Sequence, residues 1–253
     1  LKKQVSSRLV IKLLLNFDNY IKTKQTILNW AKSRKSAYVC FANVHMTIEA
    51  YDDPKFAEVV NGADLVCADG MPLAKAVKLL YGQKIDRVAG MDMFPDLVQA
   101  AHEEKLSIFL FGTTEYILQK IVEKINSEFP DAKIVGAVSP PFRTLSKEEE
   151  EGYIQQINDS GANMVFVALG CPKQEKWMAE HSKKINAVLL GVGGAFPVFV
   201  NEQRRAPKWM RKISLEWVYR LIQDPKRLFK RYLYTNSKFL YLLCLQKLRL
   251  KKF

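Results

Sequence analysis

Cysteine and histidine are scarce in this chain and no apolar run reaches membrane-spanning length, and each shortage removes a class of protein. The four cysteines (Cys40, Cys67, Cys171, Cys244) lie far apart with no C-x-x-C pair. A disulfide scaffold is therefore excluded, and a reducing, cytoplasmic setting is expected. The three histidines (His45, His102, His181) do not fall with cysteines or paired carboxylates at metal-ligand spacing, so no structural zinc site is expected. Leu9 to Leu15 is interrupted by Lys12 and lacks a small-residue cleavage site after it; it reads as a strand, not a signal sequence. There is no Walker A loop. Gly191-Val192-Gly193-Gly194-Ala195-Phe196 carries Phe where a dinucleotide fingerprint needs its third glycine, and no ribose-binding acid follows about 20 residues on. An Asp-x-Asp pair, which would hold a divalent metal on a diphosphate, is also missing. The expected cofactors and metals are none.

Acidic residues are scarce in one place only. The last 54 residues hold Glu202, Glu216 and Asp224 against fifteen Lys and Arg, whereas residues 1 to 199 balance 24 bases with 23 acids. Nearly all of the net charge of +13 therefore belongs to a tail that must meet something anionic. Its many aromatics, among them Trp209, Trp217, Tyr219, Phe229, Tyr232 and Tyr234, favour a membrane headgroup layer or a nucleic acid over a soluble metabolite. The block Phe239-Leu240-Tyr241-Leu242-Leu243-Cys244-Leu245, followed by Lys247, Arg249, Lys251 and Lys252, suits insertion at a headgroup boundary better than tracking phosphates in solution.

Ahead of the tail, short apolar runs alternate with helical patterns. Tyr38 to Phe41, Leu65 to Ala68, Ser107 to Phe111, Lys133 to Val138, Met164 to Leu169 and Ala187 to Leu190 read as buried strands. Met91 to Lys105, Glu115 to Glu128 and Ser146 to Asn158 carry apolar residues at three- and four-residue spacing behind Ser, Thr or Asp starts. The pattern predicts an α/β fold, a doubly wound and mainly parallel sheet over residues 1–197, with a basic, aromatic-rich helical appendage over 198–253.

In such a sheet ligands bind beyond the carboxyl ends of the strands. The residues there are Asn43 and His45, Asp69-Gly70, Gly112-Thr113-Thr114, Ser139, Gly170 with Gln174-Glu175, and Gly191, Gly193 and Gly194. Asp69 can serve as general base on a hydroxyl or as a helix cap; Pro72 is placed to begin the following helix. Arg87, ahead of another helix, is a candidate for neutralising a diphosphate in the absence of a metal.

Taken together, Asn43-Val44-His45-Met46, Ala68-Asp69-Gly70-Met71-Pro72-Leu73, Arg87-Val88-Ala89-Gly90, Leu169-Gly170-Cys171-Pro172-Lys173-Gln174-Glu175-Lys176-Trp177 and Gly191 to Phe196 resemble the WecG/TagA/CpsF glycosyltransferases. The tail motifs Arg205-Ala206-Pro207-Lys208-Trp209, Leu215 to Leu221 and Asp224-Pro225-Lys226-Arg227 match in the same order. The resemblance implies a Rossmann-like, inverting enzyme, and the missing Asp-x-Asp pair a metal-independent one. It implies transfer of an N-acetylmannosamine-type sugar from a UDP donor to a polyprenyl-diphosphate-linked sugar at the inner membrane face, in cell-surface polysaccharide or teichoic acid synthesis. Asp69 becomes the base, with Gln174 a substrate contact beside it. Asn43, His45, Arg87, Gly112, Thr113, Gly193, Arg205, Arg220 and Arg227 are expected to bind substrate. Trp209 and Trp217 are expected to pack the tail onto the catalytic domain. One departure is Phe41, where some members place a threonine. The competing expectations are a nucleic-acid-binding protein using the basic tail, and a soluble nucleotide-sugar-modifying enzyme that leaves the tail unexplained.

Overall fold

The structure, a computed structural model, describes residues 7–253. It opens on a hairpin of β1 (Ser7–Val10) and β2 (Leu13–Asn16), paired antiparallel with Val10 opposite Leu13. The single strand expected over Leu9 to Leu15 is thus two, because Ile11 adopts φ 59° and turns the chain. A β-branched residue resists that conformation. It is held by burial and by Gln246, whose Oε1 accepts from Ile11 N–H at 2.8 Å and whose Nε2 donates to the Leu9 carbonyl at 2.9 Å.

Next come α1 (Tyr20–Lys32), β3 (Ala37–Ala42), α2 (Val44–Asp52), α3 (Pro54–Asn61), β4 (Leu65–Ala68) and α4 (Met71–Tyr81). Strand and helix then alternate through α5 (Gly90–Glu104), β5 (Ser107–Gly112), α6 (Glu115–Glu128), β6 (Lys133–Val138), α7 (Lys147–Ser160), β7 (Met164–Ala168), α8 (Lys173–His181) and β8 (Val188–Gly191). The short α9 (Ala195–Phe199) and α10 (Lys208–Lys212) precede α11 (Glu216–Gln223) and the long α12 (Pro225–Lys247). The six expected strands fall where the apolar runs put them. They form one sheet in the order β4-β3-β8-β7-β5-β6, with Val39 level with Leu190, Val165 with Leu189 and Leu110 with Phe166 in parallel pairs. The fold is α/β and Rossmann-like. β3, β4 and β8 are buried along their whole length, as parallel strands covered on both faces must be.

Two compact units divide the chain. One comprises Ile21–Cys40 and Gly90–Gln203. Its core is aromatic: Phe94 lies 4.7, 5.1 and 5.0 Å from the rings of Phe166, Phe196 and Phe199, and Phe111 stacks on Trp177 at 4.6 Å. Ser146 and Glu149 close a capping box on α7, so this helix begins at the Ser start its sequence offered.

The other unit comprises the hairpin segment up to Tyr20, Phe41–Ala89 and Arg204–Phe253. Here α12 packs on α2 and α4, burying Leu228, Thr235, Phe239, Leu242 and Leu243. The Tyr234 hydroxyl donates to Asp52 at 2.8 Å and Lys238 pairs with the same carboxylate. The apolar block expected to enter a headgroup layer is therefore divided. Phe239, Leu242 and Leu243 belong to the protein core, because the helix turns them inward at three- and four-residue spacing, while Leu240 and Tyr241 remain exposed. Phe239→Ala is expected to cost about 3–5 kcal/mol of unfolding free energy, and Tyr241→Ala less than about 0.5 kcal/mol. Denaturant unfolding of the two variants checks this; equal, small effects would mean that the distal helix is not part of the core.

Candidate active site

Three sequence motifs converge where β3 and β4 end. The Asp69 N–H donates to the Ala42 carbonyl at 2.8 Å, and the Val88 N–H to the Ala68 carbonyl at 2.9 Å. Asn43, Asp69 and Arg87 therefore leave from adjacent backbone, although the chain separates them widely. Asn43 caps α2, its Oδ1 accepting the Met46 N–H at 3.1 Å. Asp69 is half-buried. The N-cap of α4 is Gly70, with no side-chain cap bond, and Pro72 sits in the first turn. Asp69 thus stands one residue before the N-cap position of α4. Phe41 is buried in β3 and offers no hydroxyl.

His45 stands in the first turn of α2, its Nδ1 3.7 Å from Glu49 Oε1. Burial, and secondarily the Arg231 guanidinium, lower its pKa from 6.5 to about 4. The imidazole is therefore neutral near pH 7 and brings no charge of its own.

The tail reaches the same group of residues. Arg87 Nη1 lies 3.5 Å from Glu216 Oε2, and Arg220 Nη2 donates to Glu216 Oε1 at 3.0 Å. One carboxylate thus sits between two guanidinium groups. Asp224 caps α12, accepting the Arg227 N–H at 3.3 Å, and also pairs with the Arg227 side chain. Those hydrogen bonds hold the Asp224 carboxyl below its ordinary range. Arg205 is half-buried ahead of α10. Trp217 meets Tyr232 edge-on at 6.0 Å, joining α11 to α12. Trp209, in contrast, is 61% exposed. The packing role expected for it is absent because α10 is a short helix that turns this indole outward.

In the other unit, Gly112 (φ 115°) and Thr113 (φ 58°) form the exit from β5. A Cβ on Gly112 would lie 2.6 Å from the Ala168 carbonyl, so glycine is required there. The Thr113 N–H donates to that carbonyl at 3.0 Å. Gln174, 5% exposed, donates through Nε2 to Glu175 Oε1 at 2.7 Å and to the Gly191 carbonyl at 3.1 Å. A Cβ on Gly193 would come within 3.3 Å of Gln174 Oε1, an oxygen that is buried without a hydrogen-bond partner. Glu175 is fully buried, and desolvation raises its pKa. Sequence reasoning placed Glu175 beside Gln174 at a strand end but gave no role to it, to Glu216 or to Arg231. Only Glu216, four residues before Arg220 in a helical pattern, carried a readable signal.

The sequence matches the model of the glycosyl transferase WecG/TagA/CpsF family over residues 12–253. The chain belongs to this family of glycosyltransferases. It is 32% identical over 222 residues to the N-acetylglucosaminyldiphosphoundecaprenol N-acetyl-beta-D-mannosaminyltransferase of Bacillus subtilis, covering 85% of this chain and 80% of that protein. It is 29% identical over 215 residues to the protein of the same name from Bacillus spizizenii, with the same coverage of both chains. The family match spans both units and selects the glycosyltransferase reading over nucleic-acid binding. Among the described residues no helix is long and apolar enough to cross a membrane.

The lowered pKa of His45 has a consequence for stability. As pH falls below 6.5 the unfolded chain binds a proton at His45 before the folded one does, so native stability is full above pH 6.5 and declines toward pH 4. His181, also lowered by burial, acts in the same direction. His45→Gln should therefore flatten the fall in stability between pH 6.5 and 4 without abolishing it, as read from urea midpoints at a series of pH values. An unchanged slope would show that His45 is not desolvated.

Proposed function

We propose that this enzyme transfers an N-acetylmannosamine-type sugar from a UDP donor to a polyprenyl-diphosphate-linked sugar, with inversion at the anomeric carbon. The convergence of Asn43, Asp69 and Arg87, with the tail tied to Arg87 through Glu216, carries this reading. The names of the two Bacillus relatives support the donor sugar type and the lipid-linked acceptor.

Asp69 removes the proton from the acceptor hydroxyl as that oxygen attacks the anomeric carbon opposite the departing UDP. His45, with its basicity lowered to about 4, is poorly matched to that task near neutral pH. As a neutral imidazole it is suited to hydrogen-bonding substrate. Arg87, Arg205, Arg220 and Arg227 offset the negative charge of a diphosphate, of the donor or of the lipid, as guanidinium groups do through paired N–H bonds. This chemistry needs no divalent metal. Gly112, Thr113, Gln174 and Gly193 are assigned to substrate binding, with the buried, unsatisfied Gln174 oxygen as an acceptor.

The division of labour is between a catalytic region, 1–197, and a membrane- and acceptor-binding region, 198–253, acting peripherally at the inner face of the bacterial membrane. On α12, Phe229, Leu233, Leu240 and Tyr241 are exposed at spacings that put them on one side of the helix. With the nearby bases they suit a helix lying in an anionic headgroup layer.

Asp69→Asn keeps the side-chain shape and removes its basicity, so turnover should fall about 100- to 10,000-fold with the fold intact. Exhaustive chelation should leave wild-type turnover unchanged. UDP release, measured across a panel of UDP-sugars with a lipid-diphosphate-sugar acceptor, checks both. Near-normal turnover of a folded Asp69→Asn variant, or activity lost on chelation and restored by magnesium or manganese, would overturn this mechanism.

A further inference from the structure

The helices α7 and α8 bring together three metal-ligating side chains that none of the proposed chemistry uses. The ligand atoms of Glu150, Glu180 and His181 all lie within 4.8 Å of one another. His181 is the informative member. Its side chain is 2% exposed, and neither ring nitrogen has a hydrogen-bond partner. Nε2 points toward Glu150 Oε2 from 3.8 Å, beyond hydrogen-bond length. A buried imidazole with both nitrogens unsatisfied is costly and calls for an occupant. Trp177, one turn earlier, closes one side with its ring 5.1 Å from the imidazole. Glu150 is 28% exposed and Glu180 lies at the surface, so an ion from solvent has a route in.

The donor set is one imidazole nitrogen and two carboxylates. Magnesium and calcium prefer all-oxygen sites, whereas this combination suits zinc and similar divalent cations, with water completing the shell. We propose that Glu150, Glu180 and His181 bind one zinc-type divalent cation that clamps α7 to α8. The clamp is structural and sits at the end of α8 opposite the turn that carries Gln174 and Glu175, so turnover does not require it. Histidine spacing along the chain gave no sign of it, because Glu150 arrives from another helix.

Zinc chloride titrated calorimetrically into the tag-free, chelator-treated protein should bind at one ion per chain. Cobalt should quench Trp177 fluorescence and give visible absorption bands. Glu180→Gln, at the surface and safe for folding, and His181→Asn should each weaken zinc binding by more than about tenfold, since even supporting residues around a metal contribute that much. Zinc should also raise the Tm of the wild type and leave that of Glu180→Gln unmoved. Absence of saturable zinc binding to the wild type, or unchanged affinity in Glu180→Gln, would overturn the proposal. None of these readouts depends on transferase activity.

Discussion

Glu216 pairs with two guanidinium groups, and through them the basic tail becomes part of the unit that holds Asp69. Arg87, at 3.5 Å, comes from the segment hydrogen-bonded to the end of β4, and Arg220, at 3.0 Å, from the next turn of α11. The side chains of Arg87 and Glu216 are mostly shielded, at 16% and 22% exposure. Their attraction is therefore less screened than that of an ordinary surface pair. Without Glu216, the contact that joins α11 to the segment after β4 would be lost.

The rest of the tail follows from that attachment. Asp224 and Pro225 start α12, which lays Leu228, Thr235, Phe239, Leu242 and Leu243 on α2 and α4. Gln246 then holds the turn of the N-terminal hairpin. One helix thus has two faces with separate tasks, packing on one and an exposed apolar stripe on the other. A tail so long and basic reads in sequence as an appendage. In the fold it is also a structural wall.

Much of the architecture was legible in the chain. Buried parallel strands are continuous apolar runs, and the six of them could be read to within a residue or two. Asp69 and Asn43 could be singled out because small polar residues after such runs stand at a sheet's carboxyl edge, and Arg87 because it stands ahead of a helix. What could not be read depended on distant partners. The hairpin turn at Ile11 exists because Gln246 satisfies it from the other end of the chain. Trp209 gave no sign that it would stay exposed, since aromatic composition does not specify direction. The split of Phe239 to Leu245 was readable in principle: Leu228, Thr235, Phe239 and Leu242 recur at helical spacing, but the compact apolar block masks that period. The Glu150 and His181 pairing is set by how α7 meets α8.

The central claim is that Glu216 couples the tail to the strand-end group. A double-mutant cycle on kcat/KM, with Arg87→Ala, Glu216→Ala and the pair, measured on a short-chain soluble acceptor so that membrane binding does not enter, tests it most directly. The expected result is a coupling energy of at least about 1 kcal/mol, the double variant losing less than the two single losses combined. Losses that add within about 0.5 kcal/mol would contradict the account and reduce the contact to an incidental ion pair.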